Sequence, residues 1–215
     1  MLDPRSLEVY VVTSGRFGAG RDHRSIALAA IEGGATTIQL RAPELADDEV
    51  LPIAADIRAW CRAVGVLFLV NDRIDVALRC GADGVHVGQD TDAAAARDLI
   101  GPDAILGVSA GDAREAAAAE RAGADYLGVT VWSTPTKPDA VPRGLEGMHD
   151  VVVATSLPVV GIGGIFASNA RLVLESGAAG LAAVSAVAAA GDPVAATREL
   201  VEVVERFRAR QGVAG

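Results

Sequence analysis

The chain has 215 residues, 51% hydrophobic but only 4% aromatic, and a formal net charge of −9. That length suits one barrel or one large α/β unit, and a core of Ala, Val, Leu and Ile suits parallel strands covered on both faces by Ala-rich helices. A pI near 4.8 argues against a nucleic-acid binder, and no apolar run reaches the roughly 18 residues of a membrane span.

The opening MLDPRSLEVYVV has no basic segment ahead of a long apolar run, so no secretory leader is expected. Its VYVV (9–12) reads as a first strand, followed by a helix pattern, DHRSIALAAI (22–31). In EGGATTIQL (32–40) glycine closes that helix and a second strand begins. The pattern then repeats. DDEVLPIAADIRAWCRAV (47–64) leads to LFLV (67–70), DRIDVALR (72–79) to CGADGVHVG (80–88), and DAAAARDLI (92–100) to AILGV (104–108). DAREAAAAERA (112–122) runs into AGADYLGVTV (122–131), and LEGMHDVVVA (145–154) into PVVGI (158–162). SNARLVLES (168–176) runs into SGAAGLAAVS (176–185), and DPVAATRELVEVVERFRAR (192–210) is the last helix.

Strands alternating with helices predict a parallel sheet with right-handed crossovers. About eight such pairs in 215 residues predict a single (βα)8 TIM barrel spanning 1–215, with an open doubly wound sheet as the alternative. No linker or low-complexity segment divides the chain. Cys61 and Cys80 have no His or second Cys at ligand spacing, so they read as small apolar residues of a reduced, cytoplasmic protein.

In a TIM barrel the active site lies at the C-terminal ends of the strands, so the residues there carry the functional reading. After the second strand come Gln39 and Arg41; an inward Arg needs an anion or a carboxylate partner. After the third come Asn71 and Asp72, the latter either a helix cap or a metal ligand. After the fourth, Asp90 and Asp92 flank Thr91, with Asp92 also placed to cap the next helix. Ser109 follows the fifth strand. The sixth is followed by STPTKPD (133–139), a stiff loop bearing Thr134, Thr136 and Lys137. GIGGI with Gly164, and then Val184-Ser185, follow the last two strands, where barrels commonly bind phosphate on backbone N–H groups. Two anion sites with the threonine-lysine loop between them are expected.

These motifs (QLR, VNDRID, GADGVHVGQ, LGVSA, GADYLGV, TPTK, GIGGI and VSA), in this order, resemble the thiamine-phosphate synthase family over nearly the whole chain. The resemblance implies joining of a hydroxymethylpyrimidine diphosphate to a thiazole phosphate, with release of pyrophosphate and a need for Mg²⁺. It implies that Gln39 contacts the pyrimidine, and that Arg41, Asn71, Ser109 and Lys137 hold the diphosphate, with Arg41, Ser109 and Lys137 as catalytic groups. Asp72 is implied as the Mg²⁺ ligand, with Asp90 or Asp92 as a second. Thr134, Thr136, Gly164, Val184 and Ser185 are implied to hold the thiazole phosphate.

The chain departs from the family pattern at three places. Pro43 stands where QLRxK has lysine, Thr91 where a second metal carboxylate is usual, and Thr130-Val131 where Gly-Pro is usual, in a segment about one residue short. Three rival readings follow; one, another phosphate-barrel enzyme such as a sugar-phosphate epimerase, would want His ligands at strand ends, whereas His23 and His149 fall in helical segments and His86 stands alone. A thiazole tautomerase of the same superfamily would need a His where Gly111 stands, and a phosphate-binding barrel that has lost catalysis would keep only the cradle. The expected partners are small phosphorylated substrates, with neither nucleic acid nor membrane; a homo-oligomer is left open.

Overall fold

The computed structural model describes residues 2–213 and closes eight parallel strands into one barrel in sequence order. The first four strands are β1 (Val9–Val12), β2 (Thr37–Leu40), β3 (Leu67–Asn71) and β4 (Gly84–Val87). The others are β5 (Ile105–Ser109), β6 (Tyr126–Thr130), β7 (Val159–Ile162) and β8 (Gly180–Ala183). The closing pair is β1 with β8, in the register Tyr10 to Ala182. Around them lie α1 (His23–Glu32), α2 (Asp47–Val64), α3 (Ile74–Cys80), α4 (Ala93–Ile100) and α5 (Ala113–Arg121). The ring is completed by α6 (Gly144–Ala154), α7 (Ala167–Glu175), α8 (Ser185–Ala188) and α9 (Pro193–Val213). The fold is the (βα)8 TIM barrel expected from the alternation; residues 1, 214 and 215 of the expected domain lie outside the described residues.

Side-chain alternation along each strand divides the core in two. Tyr10, Val12, Leu69, Tyr126, Val160 and Ala182 point into the barrel, with Leu7 among them. Their neighbours Val9, Val11, Ile38, Phe68, Val70, Val85, Leu106 and Val108 face the helices. Both faces are buried, which is why the strands read as continuous apolar runs. A 3-10 turn over Pro4–Leu7, which periodicity does not reveal, lies at the N-terminal end of the barrel, and Thr37 donates there to the Ser6 carbonyl at 2.5 Å.

The Gly-Ala-Asp beat has a structural cause beyond the helix stop. Gly81 and Gly123 take left-handed φ values of 67° and 85°, as the turn out of each helix requires. Asp83 then accepts the Phe68 N–H at 2.9 Å and pairs with Arg58, and Asp125 accepts the Leu106 N–H at 2.8 Å and pairs with Arg97. Each aspartate thus satisfies an edge donor of the preceding strand. These residues hold the N-terminal end, leaving the other end free for chemistry.

Candidate active site

The C-terminal end of the barrel holds a cavity of about 130 Å³. Gln39, Arg41, Asn71, Asp72, Ser109, Thr134, Thr136, Lys137 and Val184 line it, so nine of the expected site residues converge there. Gly163 lines it beside Gly164, and Ser185 begins α8 directly after Val184. Asp90 and Asp92 are not among its walls. The Asp92 carboxylate accepts the Ala94 and Ala95 N–H groups at 3.0 and 3.2 Å, which makes it the α4 cap.

Arg41, after β2, and Lys137, after β6, supply positive charge to the cavity from opposite walls. Among the described residues neither side chain makes a hydrogen bond or ion pair, so Arg41 lacks the carboxylate partner that was the alternative reading. An unneutralised guanidinium and ammonium facing one cavity, in a chain of net charge −9, suit an anionic ligand. Arg41 is held from behind. Its N–H donates to Thr13 Oγ1 at 3.3 Å, Thr13 Oγ1 lies 2.8 Å from His23 Nδ1, and His23 Nε2 lies 2.9 Å from Glu44 Oε1. Arg73 also donates to the Ala42 and Leu45 carbonyls, pinning the loop that contains Pro43.

Asp72 does not cap α3; Arg73 occupies that position. It sits at φ 59°, a left-handed conformation that Asp tolerates better than most side chains, and accepts the Gly88 N–H at 3.1 Å. Its backbone N–H donates to the His86 carbonyl, which also accepts from Asn71 Nδ2 at 3.1 Å. The strained turn thereby presents a carboxylate at the cavity wall rather than at a helix end. Among the described residues, no group of three or more His, Cys, Asp or Glu side chains is placed to hold a metal.

Across the cavity from Arg41, the STPTKPD loop that carries Lys137 folds into a turn closed by the Lys137 N–H and the Thr134 carbonyl, with Pro135 inside it. Thr134 and Thr136 bring their hydroxyls within 2.8 Å of one another. After β7, Gly163 and Gly164 have φ 94° and 64°. Among the described residues the N–H groups of Gly164 and Ser185 meet no acceptor, and β7 and β8 are adjacent. Two free backbone donors at neighbouring strand ends suit a phosphate. A Cβ on Gly164 would press within 3.2 Å of the Ser133 carbonyl and the Trp132 side chain, and the positive φ adds strain. Gly164→Val should therefore displace the threonine loop rather than simply fill the anion's place. Calorimetry should show phosphate-ligand affinity reduced by at least roughly tenfold; unchanged affinity would remove the cradle from this position.

Several site residues escaped sequence reasoning. His86 lines the cavity from β4, with Tyr126 against Nδ1 at 2.9 Å and Ser109 against Nε2 at 3.1 Å. Burial, with the Lys137 charge adding to it, pushes its pKa down to about 4, so the ring is neutral at pH 7. Beneath it Tyr10 and Tyr126 are buried with hydroxyls 3.0 Å apart, and burial raises both phenol pKa values. Strand parity was the available signal: Tyr10, His86 and Tyr126 share the inward phase with Gln39 and Ser109.

A TIM barrel with free cations and free backbone donors at its C-terminal end defines a phosphate-ligand barrel. Comparison with known proteins specifies it further. The family profile described as thiamine monophosphate synthase matches residues 9–187, and the chain belongs to that family. It is 48% identical over 206 residues to the thiamine-phosphate synthase of Moorella thermoacetica, covering 94% of this chain and 98% of that one. It is 49% identical over 199 residues to the thiamine-phosphate synthase of Chloroflexus aurantiacus, covering 91% and 92%. Among solved structures, a thiamine phosphate pyrophosphorylase from Pyrococcus furiosus superimposes with a TM-score of 0.88 at 41% identity, covering 95% of this chain and 98% of that one.

Proposed function

We propose that this chain is a thiamine-phosphate synthase. It joins hydroxymethylpyrimidine diphosphate to thiazole phosphate, releasing pyrophosphate. The observation that carries the reading is two sets of anion-binding groups at one cavity: the unneutralised Arg41 and Lys137, after β2 and β6, and the free N–H groups of Gly164 and Ser185 at its β7–β8 rim, next to Gly163 and Val184. Two separately phosphorylated substrates need such a pair.

The residues have matching roles. Arg41, Lys137, Asn71 and Ser109 hold the diphosphate, and the two cations draw off charge as the methylene carbon–oxygen bond breaks with its electron pair leaving on the diphosphate. Gln39 orients the aminopyrimidine, whose ring electrons support the positive methylene. Thr134, Thr136, Gly164, Val184 and Ser185 fix the thiazole phosphate so that the thiazole nitrogen forms the new carbon–nitrogen bond. No side chain must gain or lose a proton in that step, so positioning supplies most of the catalysis.

Mg²⁺ commonly binds through one or two carboxylates together with substrate phosphate oxygens and waters. The donor set here fits that mode. Asp72 offers one carboxylate on the cavity that Arg41 and Lys137 also line, and the remaining ligands would come from the diphosphate and water. Bound there, Mg²⁺ would make diphosphate a better leaving group. Asp90 remains a candidate for a water-bridged contact, while Asp92 is occupied as a cap.

The geometry weighs against a tautomerase. Arg143 packs its guanidinium over Gly111, so any side chain at that position would overlap it. The two free cysteines, one buried and one half-buried, support a reducing cytoplasmic compartment. Among the described residues no helix is long and apolar enough to cross a membrane. The direct test is pyrophosphate release. It should require both substrates and Mg²⁺ together, and release from the pyrimidine diphosphate alone at the same rate would overturn the assignment.

A further inference from the structure

A single file of hydrogen bonds runs through the barrel interior beneath the cavity: Gln39, Tyr10, Tyr126, His86, Ser109. Gln39 Nε2 donates to the Tyr10 hydroxyl, the two tyrosine hydroxyls are 3.0 Å apart, and Tyr126 and Ser109 flank the two ring nitrogens of His86 at 2.9 and 3.1 Å. The sequence makes room for it. A Cβ at Gly107 would overlap the Tyr126 ring, and one at Gly128 would come within 2.9 Å of His86 Cε1. The ends of the file, Gln39 and Ser109, lie on opposite sides of the cavity.

Hydrogens can run along this file in two directions; diphosphate oxygens only accept, which selects the direction that leaves Ser109 its hydrogen, and Gln39 Nε2 on the Tyr10 hydroxyl agrees with it. Tyr10 accepts from Gln39 and is buried, so its proton has Tyr126 as its one acceptor. Tyr126 accepts that hydrogen bond and donates its own hydrogen to His86 Nδ1. The neutral ring then carries its hydrogen on Nε2 and donates to Ser109. Ser109, already an acceptor, has its own hydrogen left for the cavity. At the other end one Gln39 amide hydrogen is used on Tyr10, and the carbonyl oxygen is left as a free acceptor.

We propose that Tyr10, Tyr126 and His86 are positioning residues that lock the polarity of the pyrimidine diphosphate site, presenting Gln39 as an acceptor and Ser109 as a donor. This rests on the synthase reading for its substrate. The diphosphate brings only acceptors and meets the Ser109 hydrogen, and the exocyclic amino group of the pyrimidine meets the Gln39 carbonyl. Reversing the file would turn that carbonyl onto Tyr10, leave the amino group without it, and occupy the Ser109 hydrogen with His86. A file anchored on the buried Gln39, Tyr10 and Tyr126 is set before substrate arrives, so little reorientation is needed on binding.

The test combines a spectroscopic and a kinetic readout on the intact protein. ¹⁵N spectra of histidine-labelled, substrate-free protein should show His86 protonated at Nε2 and bare at Nδ1, with signals assigned by their loss in His86→Asn. Protonation at Nδ1 would overturn the proposal without any variant. Tyr126→Phe removes the only donor to Nδ1 and should mix the two tautomers. It should also raise KM for the pyrimidine diphosphate about tenfold, with kcat and the thiazole-phosphate KM within about twofold. Tyr126→Phe with the wild-type tautomer and an unchanged diphosphate KM would also overturn it. The tautomer is read without substrate, so a wild-type protein with the Nε2–H form but no turnover would sink the synthase reading and leave the file intact.

Discussion

Arg41→Ala and Lys137→Ala should each lower turnover roughly tenfold to a hundredfold if, as proposed, each removes one charge-assisted contact to the departing diphosphate, worth about 1.5–3 kcal/mol. The family pattern places a further lysine where this chain has Pro43, and among the described residues neither of the two remaining cations has a partner that could substitute for substrate. Removing both should cost more than the sum of the single losses, since the leaving charge is then met by no side-chain cation on the wall. Stability should barely change or rise slightly, as both groups are unneutralised in the free protein. The measurement is single-turnover rate with each substrate saturating, alongside binding of the thiazole phosphate. If either alanine variant keeps its diphosphate rate and instead loses thiazole-phosphate affinity, the two anion sites have been assigned the wrong way round.

The parts of this site that were legible in the sequence share one property: their position follows from the alternation alone. Once strands and helices are counted, Arg41, Asn71, Ser109, Lys137 and Gly164 must fall at strand ends, and in a barrel strand ends meet. What was not legible depends on pairing between distant elements. His23 reads as a helix residue, yet it opens α1 facing Thr13 and Glu44, a clamp that exists only because β1 and β2 are adjacent. His86 looks solitary because its partners are 23 and 40 residues away along the chain. Asp92 looks like half of a metal pair because carboxylate spacing is the same for a ligand and a cap; only the free N–H groups of α4 decide between them. The four-residue α8 and the N-terminal 3-10 turn are too short for periodicity to register.

Asp72→Asn should all but abolish turnover at limiting magnesium, and added magnesium should restore it only in part. Asparagine is the informative replacement because of the backbone. At φ 59°, alanine adds strain that asparagine largely avoids, and alanine also loses the oxygen that accepts the Gly88 N–H. Asp72→Ala therefore confounds a metal role with a structural one and should melt earlier. Asp72→Asn keeps the shape, the positive φ and the Gly88 contact, and removes only the charge, so its melting midpoint should stay within a few degrees of the wild type. A carboxylate that binds the metal directly cannot be replaced by a neutral amide without weakening a hard, oxygen-seeking cation, whereas one that merely holds the β4 loop can. With Thr91 in place of a second acid, the amide variant would leave no carboxylate on the cavity wall. The wild type and both variants should be titrated with magnesium at saturating substrates, with thermal melts of each. An asparagine variant that turns over normally at every magnesium concentration would reduce Asp72 to a loop anchor and leave charge neutralisation to Arg41 and Lys137.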